Sequence, residues 1–482
     1  MATHDYVIDN ASGSSVRTDL NNVLQAILTN NSSGSAPSTT ASYMLWADTS
    51  NNILKMRNTA NDGWIDLRSL TGGLTSSADA SINSVAVGKG ANSVAGNTVL
   101  GESALDDSVT GDQNTAIGKQ TLSANTSGAK NNALGFQALR ANTTGSKNNG
   151  IGYLALTTNT SGANNVAIGD EAMQNNTTAN DNTAVGRRSL KANTTGTQNV
   201  ALGSDALDAN TTADNNTAVG YNSLGANTTG TQNTAVGAFA LDANTTGDYN
   251  VAMGVGTLGA NTTATGNTGL GYTALATNTT GANNVALGYE ALNLNTTASS
   301  NTGLGYQALK ANTTGTSNVA VGANALDANT TGANNTACGQ DSLSANTTAD
   351  ANTAVGTNAL LVNTTGGNNT SVGKDSLRAN TTGGNNTAVG ESALKANTTA
   401  TKGTAVGQNC LQANTTGAEN TAVGTNALLN NSTGNQNTAL GVSALQGNST
   451  AGNNTALGFE ALKGNTTGSI NTAAGKDALK AN

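Results

Sequence analysis

The chain has little of what most active sites are built from. Its 482 residues include one histidine, two cysteines, one proline and 3% aromatic residues, and only 10% are charged. His4, Cys338 and Cys410 are too few to build a His and Cys metal site, and a single imidazole disfavours a Ser/His/Asp or Cys/His arrangement. We therefore expect no enzymatic activity, no cofactor and no bound metal.

Nucleic-acid binding and membrane insertion are also disfavoured. The 28 acidic residues outnumber the 20 basic ones, for a net charge of −8, which repels nucleic acids and anionic membranes. No run approaches the ~18 apolar residues of a membrane helix. The first residues, Met1 to Tyr6, are polar and acidic, so we expect no secretion signal.

A strict internal repeat dominates the rest of the sequence. Glycines recur from Gly101 to Gly475 in 22 steps of 17 residues, within the unit N-T-A-V-G-x-x-A-L-x-A-N-T-T-G-x-x. A period this short is typical of β-solenoids, whereas helix-pair repeats need about 33 residues or more. The alternative is an Asn-rich disordered tract. Such a tract would be expected to contain insertions that break the register, whereas this repeat contains none. We predict an all-β fold in which residues 97–482 form a parallel β-solenoid, roughly 110 Å long at ~4.8 Å per coil.

The repeat also suggests how copies associate. Apolar residues stand side by side, as in Ala218-Val219, so both faces of each strand should be buried. We expect the large residue before each repeat glycine to point inward, together with both cysteines, and the alanine to point outward. From the second repeat on, that alanine is replaced only by small residues, which would let another chain approach, so we predict a homotrimer joined along alanine-lined seams; the replacements are Gly150, Gly269, Gly303 and Ser371.

Two asparagine columns run through the repeat, four residues before and seven residues after the glycine. Asparagine tolerates left-handed backbone and hydrogen-bonds in turns, and identical amides stacked on successive coils can bond to one another. We therefore expect asparagine ladders. The Asn-Thr-Thr triplets should form turns; an ice-binding role for their threonines is disfavoured because adjacent residues in a strand point in opposite directions.

Residues 1–70 are different in composition and predict a small α+β module. Helical spacing of apolar residues predicts a helix starting at Thr18, and three short apolar segments between residues 44 and 67 predict a β-meander, preceded by a linker around Pro37. The candidate core of this module is Leu20, Leu24, Trp46 and Trp64. With so few apolar residues, we expect the module to need an oligomer or a partner for stability.

Three segments of this module carry a resemblance. Three strings, H-D-Y-V-I-D-N at 4–10, R-T-D-L-N-N-V-L-Q-A-I at 17–27 and M-L-W-A-D-T-S-N-N-I-L-K-M-R-N-T-A-N-D-G-W-I at 44–65, resemble the N-terminal regions of tail fibre proteins from phages of marine bacteria. The resemblance implies a virion structural protein that serves host adsorption. Its N-terminus would bind phage tail proteins, its repeats would form the shaft, and its surface would meet a host receptor such as a polysaccharide. We further expect a separate tip protein or C-terminal domain beyond Asn482.

The transition at residues 71–96 carries a second resemblance. N-S-V-A-V-G at 83–88, with a shorter step of 13 residues between Gly88 and Gly101, is similar to the head repeats of trimeric autotransporter adhesins. Those repeats are left-handed parallel β-rolls, which implies the same roll here. The alternative function is therefore a bacterial surface adhesin or an extracellular filament subunit.

Two further motifs lie within the repeats. Gly254-Val-Gly256-Thr-Leu-Gly259 matches a dinucleotide-binding pattern, but two of its glycines occupy repeat positions, so we interpret it as coincidence. Aromatic residues follow the repeat glycine in seven units, three of them consecutive: Tyr272, Tyr289 and Tyr306. They predict either a stacking ladder for glycans or an ordinary packing or interchain contact.

Overall fold

The computed structural model describes residues 13–28, 33–37, 44–69 and 79–481. Among these residues, one α-helix, α1, spans Gly13–Leu28, and a short 3-10 helix spans Ala91–Ser93. The first strands are β1 Leu45–Asp48, β2 Ile53–Arg57, β3 Trp64–Ser69, β4 Ala80–Ile82, β5 Val85–Gly88 and β6 Thr98–Gly101. The later strands are β7 Thr115–Ile117, β8 Asn132–Leu134, β9 Asn149–Ile151, β10 Val166–Ile168, β11 Thr183–Val185, β12 Val200–Leu202, β13 Thr217–Val219, β14 Thr234–Val236, β15 Val251–Met253, β16 Thr268–Leu270, β17 Val285–Leu287, β18 Thr302–Leu304, β19 Val319–Val321, β20 Thr336–Cys338, β21 Thr353–Val355, β22 Thr370–Val372, β23 Thr387–Val389, β24 Thr404–Val406, β25 Thr421–Val423, β26 Thr438–Leu440, β27 Thr455–Leu457 and β28 Thr472–Ala474.

The predicted parallel β-solenoid is confirmed. From β6 to β28 each strand pairs in parallel with the next, and the register shift is one repeat, as in Ala218 beside Ala235. The three-residue strands alternate with longer segments of turns and bends, and the fold comprises about 22 turns of 17 residues. Because successive coils hydrogen-bond along the axis, each repeat is stabilised mainly by its two neighbours.

The structure reverses the predicted inside and outside of the strand. The central alanine of each strand is buried, as Ala218 is, and the large residue before the repeat glycine faces outward, as Leu287 does with 41% of its surface exposed. The core is filled by the leucine four residues after the glycine and the small residue before that leucine, such as Leu241 and Ala240. The prediction of alanine-lined seams between copies is therefore wrong for these strands.

The width of the coil explains the reversal. At Gly150, in the middle of β9, an added Cβ would already lie 3.2 Å from Cγ of Leu139 in the preceding coil and 3.4 Å from the Ala155 carbonyl oxygen. The interior therefore holds one large side chain per coil, and leucine occupies that space. This is why the strand centre varies only among alanine, glycine and serine from β7 to β28, while the first coil has Val99 there.

The turns depend on left-handed backbone. The repeat glycines from Gly118 to Gly475 have φ between +121° and +141°, and the core leucines have φ near +50°, as at Leu258. Side chains with a Cβ rarely adopt the glycine values. The two asparagine columns are not among these left-handed positions, so that part of the explanation for asparagine was wrong.

Both asparagine columns do form ladders, as predicted. In the column after the glycine, Asn142 Nδ2 donates to Asn125 Oδ1 at 2.9 Å and to the Gly145 carbonyl oxygen at 2.9 Å. In the column before it, the Asn131 amide N–H donates to Asn114 Oδ1 at 3.0 Å. These side chains are buried, so the ladders satisfy polar groups that would otherwise be costly to remove from water.

The first coil is covered by antiparallel strands. β5 pairs antiparallel with β6, with Val87 beside Leu100, and β4 pairs antiparallel with β5. Asp79 accepts hydrogen bonds from the backbone N–H groups of Lys89 (2.7 Å) and Gly90 (2.6 Å) and fixes the turn after β5. The N-S-V-A-V-G segment is thus a hairpin at the end of the solenoid, and the parallel roll implied by its resemblance was wrong here.

The predicted meander is confirmed, since β1, β2 and β3 form an antiparallel sheet in that order. The helix, however, begins at Gly13 and not at Thr18, whose Oγ1 donates to the Ser14 carbonyl oxygen at 2.9 Å inside the helix. The predicted linker is also partly ordered on the sheet, because the Ser33 N–H donates to the Ala47 carbonyl oxygen at 3.1 Å. The motif at residues 4–10 lies outside the described residues.

Candidate functional surfaces

The outward side of the solenoid strands forms one long surface, which we call the strand face. It consists of the first and third residues of each strand from β6 to β28, typically a threonine and a valine or leucine. The third-position residues range from partly to well exposed, for example 36% at Val406 and 50% at Leu440. A row of exposed apolar side chains of this length is unusual for a protein that acts alone.

The three consecutive tyrosines stack on one another. The ring centroids of Tyr272 and Tyr289, and of Tyr289 and Tyr306, are 5.5 Å apart, with interplanar angles of 13° and 10°. Their side chains remain about half exposed. Because each ring covers the face of its neighbour, a sugar ring could stack only on the outer faces of Tyr272 and Tyr306. This geometry favours the packing interpretation over an extended glycan ladder.

A polar cluster lies beside the middle tyrosine. Glu290 accepts hydrogen bonds from Lys310 Nζ at 2.7 Å and from Gln307 Nε2 at 2.8 Å. The Lys310 ammonium and the Gln307 amide lower the pKa of the Glu290 carboxyl group. The Glu290 charge in turn raises the pKa of the Tyr289 phenol. The cluster ties two coils together and leaves Glu290 already satisfied by these partners.

The predicted core of the N-terminal module is only partly assembled. Trp46 is buried and its ring centroid lies 5.2 Å from that of Trp64, whereas Leu20 and Leu24 are 45% and 49% exposed on α1. The leucines therefore do not join the tryptophans in the core of this chain. Their exposure leaves an apolar helix face in a module that sequence composition predicts to need a partner.

Charged side chains from β2 cover the tryptophan pair. Lys55 Nζ lies 5.2 Å from the Trp46 ring centroid, and Arg57 Cζ lies 5.3 Å from that of Trp64, which are cation–π distances. Lys55 also contacts buried Asp48 at 3.1 Å. Burial alone would raise the pKa of Asp48, but hydrogen bonds from Asn51 and Lys55 outweigh it and lower that pKa.

The Asn-Thr-Thr triplets lie in bends between strands. The first threonine uses its hydroxyl within the solenoid: Thr143 Oγ1 donates to the Thr160 carbonyl oxygen of the next coil at 3.0 Å. The second threonine, such as Thr144, is exposed. Half of the threonine hydroxyls that an ice-binding array would use are thus engaged in the backbone ladder.

The two cysteines differ in environment. Cys410 is buried, as predicted, and burial raises the pKa of its thiol to about 12. Cys338 occupies the third position of β20 on the strand face and is exposed, so its assignment to the core was wrong. The cause is the same reversal of faces found for the valines and leucines.

The described residues contain no group of three or more His, Cys, Asp or Glu side chains placed to hold a metal ion. Among the same residues, no helix has the length and apolar content needed to cross a bilayer. The Gly254–Gly259 segment follows directly after β15 and consists of a bend and a turn, and no helix follows it among the described residues, which fits the coincidental interpretation of its glycine pattern. Comparison with family models, curated proteins and solved structures gave no match.

Proposed function

We propose that this protein is a phage tail fibre: a virion structural protein whose N-terminal module binds the tail and whose solenoid forms a homotrimeric shaft that serves host adsorption. The observation that carries the proposal is the uninterrupted run of parallel coils from β6 to β28, a shape suited to spanning distance. The resemblance of segments within residues 4–65 to tail fibre N-termini supports attachment of this module to the virion.

The internal polar ladders also suit an extracellular shaft. Buried amides that bond from coil to coil do not depend on ionisation, so the rod should tolerate changes in salt and pH better than one held by surface ion pairs. The alternative, a cell-surface adhesin, rested on the N-S-V-A-V-G resemblance. Since that segment is antiparallel to the first coil, the specific support for an adhesin is weaker.

Purified particles test the proposal. Mass spectrometry of density-purified virions should find the chain, and gold-labelled antibodies against the solenoid should mark fibres on the tail. Fab fragments of the same antibodies should slow adsorption to host cells. Recovery of the chain from the surface or medium of uninfected cells, and its absence from virions, would contradict the fibre and favour the adhesin.

The tyrosine stack gives a separate test of receptor binding. If the stack only packs, replacing Tyr272, Tyr289 and Tyr306 together by alanine should leave adsorption and polysaccharide binding unchanged. Tyr153→Ala, at the same repeat position but outside this stack, serves as the matched control. A selective loss of polysaccharide binding in the triple variant would assign the stack to a glycan site.

A further inference from the structure

We propose that the strand face is the surface by which copies of this chain associate, lying parallel and in register so that each coil meets the same coil of its neighbours. This replaces the alanine-lined seams predicted from sequence. The parallel direction rests on the proposed function, since N-terminal modules that dock together must lie at the same end.

The strand face carries no charged residues. The chain has 48 charged residues, yet none occupies the first or third position of any strand from β6 to β28. An exposed protein surface normally carries charges, and the centre of an interface is depleted of them. The next column, just after the repeat glycine, does carry charges and would form the rim; these residues are Glu102, Lys119, Asp170, Arg187, Lys374, Glu391 and Lys476.

The exposed apolar area of the strand face is as large as that of a stable interface. The third-position residues include Leu202 at 37%, Met253 at 40% and Leu457 at 40% exposed. At about 65 Å² each, this column alone presents on the order of 1,500 Å², whereas a stable interface of standard size needs ~800 Å² per partner. The largest apolar patch on a typical monomer is ~300–600 Å². The strand face is therefore large enough to hold copies together.

A second copy of this chain matches the strand face. A partner must offer a straight apolar row with the same ~4.8 Å spacing over the whole length, and a second copy has that row by construction. The side chains also vary in size along the axis, because leucine, isoleucine and methionine are frequent up to Leu304, while the run from Val321 to Val423 contains only valine and Cys338. Parallel copies in register place large residues opposite large ones and small opposite small, whereas a shift along the axis would mix the two.

Cys338 provides a direct reporter because it lies on the strand face. In parallel register the Cys338 thiols of adjacent copies face one another, whereas full antiparallel overlap places Cys338 opposite Val236 and separates the thiols by roughly 29 Å, about six coils. A short bismaleimide added to the full-length protein should give covalent dimers on a denaturing gel. Cys338→Ala should abolish them, since Cys410 is buried and its thiol stays protonated.

Charge placed on the strand face tests the surface itself. Val389→Asp with Val406→Asp should lower self-association at least tenfold, measured by analytical ultracentrifugation against a monomer of 47.4 kDa. Gln408→Asp, an exposed rim position two residues from Val406, should leave self-association unchanged, and circular dichroism checks that each variant keeps its strands.

Three outcomes would overturn the proposal: a wild-type chain that stays monomeric at micromolar concentration, an oligomer that the double variant does not weaken, or no cross-linking at Cys338. Cross-linking that appears only when Val236→Cys is combined with Cys338 would overturn the parallel register. These measurements use purified protein without virions, so they can fail while the fibre assignment holds, and the reverse.

Discussion

Replacing one repeat glycine should damage the solenoid far more than replacing another glycine of the same coil. Gly237 has φ of +132°, and an added Cβ would lie 2.6 Å from the Gly254 carbonyl oxygen and 2.7 Å from its carbon. The strained dihedral costs roughly 1–3 kcal/mol and the overlap a similar amount. We expect Gly237→Ala to lower the free energy of unfolding by roughly 3 kcal/mol.

The matched control is Gly247→Ala. An added Cβ there would lie 2.3 Å from the Ala264 carbonyl oxygen, closer than the contact at Gly237, but Gly247 has no left-handed φ, and Ala264 occupies the equivalent position one coil later, which shows that the coil can shift to relieve this contact. The backbone therefore accommodates a methyl group at this position, and we expect a loss of under about 1 kcal/mol. The comparison separates the backbone dihedral from the available space.

Hydrogen exchange is the appropriate assay because a solenoid can open locally. In Gly237→Ala, the amides of Gly237 and Gly254, which bond to the preceding coils at 2.7 and 2.8 Å, should exchange faster, while distant coils keep their protection. Thermal unfolding gives the global effect. Equal stability and equal exchange in the two variants would refute the argument that the left-handed backbone excludes every residue but glycine.

Three further predictions follow from the core, the ladder and the end of the rod. Gly403 interrupts an asparagine column but still donates its N–H to Asn386 Oδ1 at 2.8 Å, so Gly403→Asn should restore the missing rung and add roughly 1 kcal/mol to the free energy of unfolding; a lower thermal midpoint would contradict this. Leu258 has φ of +53°, where β-branched residues are strained, so Leu258→Ile should cost roughly 1–2 kcal/mol more in chemical denaturation than Leu258→Met, and equal costs would refute the role of the dihedral. Hydrogen bonds from the ammonium groups of Lys463 and Lys480 lower the pKa of Glu460 from 4.5 to about 2. The stability that these bonds contribute is therefore complete above pH 4.5 and is lost as the pH falls towards 2. Hydrogen exchange of the last coils should accelerate over that range in the wild type but not in Glu460→Gln.

The repeat arithmetic was sufficient to predict the architecture. Equivalent residues recur every 17 positions without insertion, which requires one coil per 17 residues. Buried amides at matching positions, such as Asn125 and Asn142, could bond only to each other or to nearby backbone. The meander was also predictable, because turn residues separate its apolar segments. These features depend on local pattern, which the sequence carries directly.

The orientation of the strand could not be predicted in the same way. In Thr217-Ala218-Val219 either face can be assigned to the core, and size alone suggested valine. The deciding fact is that Leu224, on a turn with left-handed backbone, already fills the narrow interior. No periodicity signals a left-handed leucine, so the outward face of the strand became visible only in the structure.

Cryo-electron microscopy of the purified full-length chain can show both the solenoid and the packing of its copies. We expect a straight rod roughly 110 Å long with an axial repeat of ~4.8 Å, in which several parallel copies bury their valine and leucine rows on a common axis. Compact particles, a flexible coil, or single rods with those rows facing solvent would contradict it.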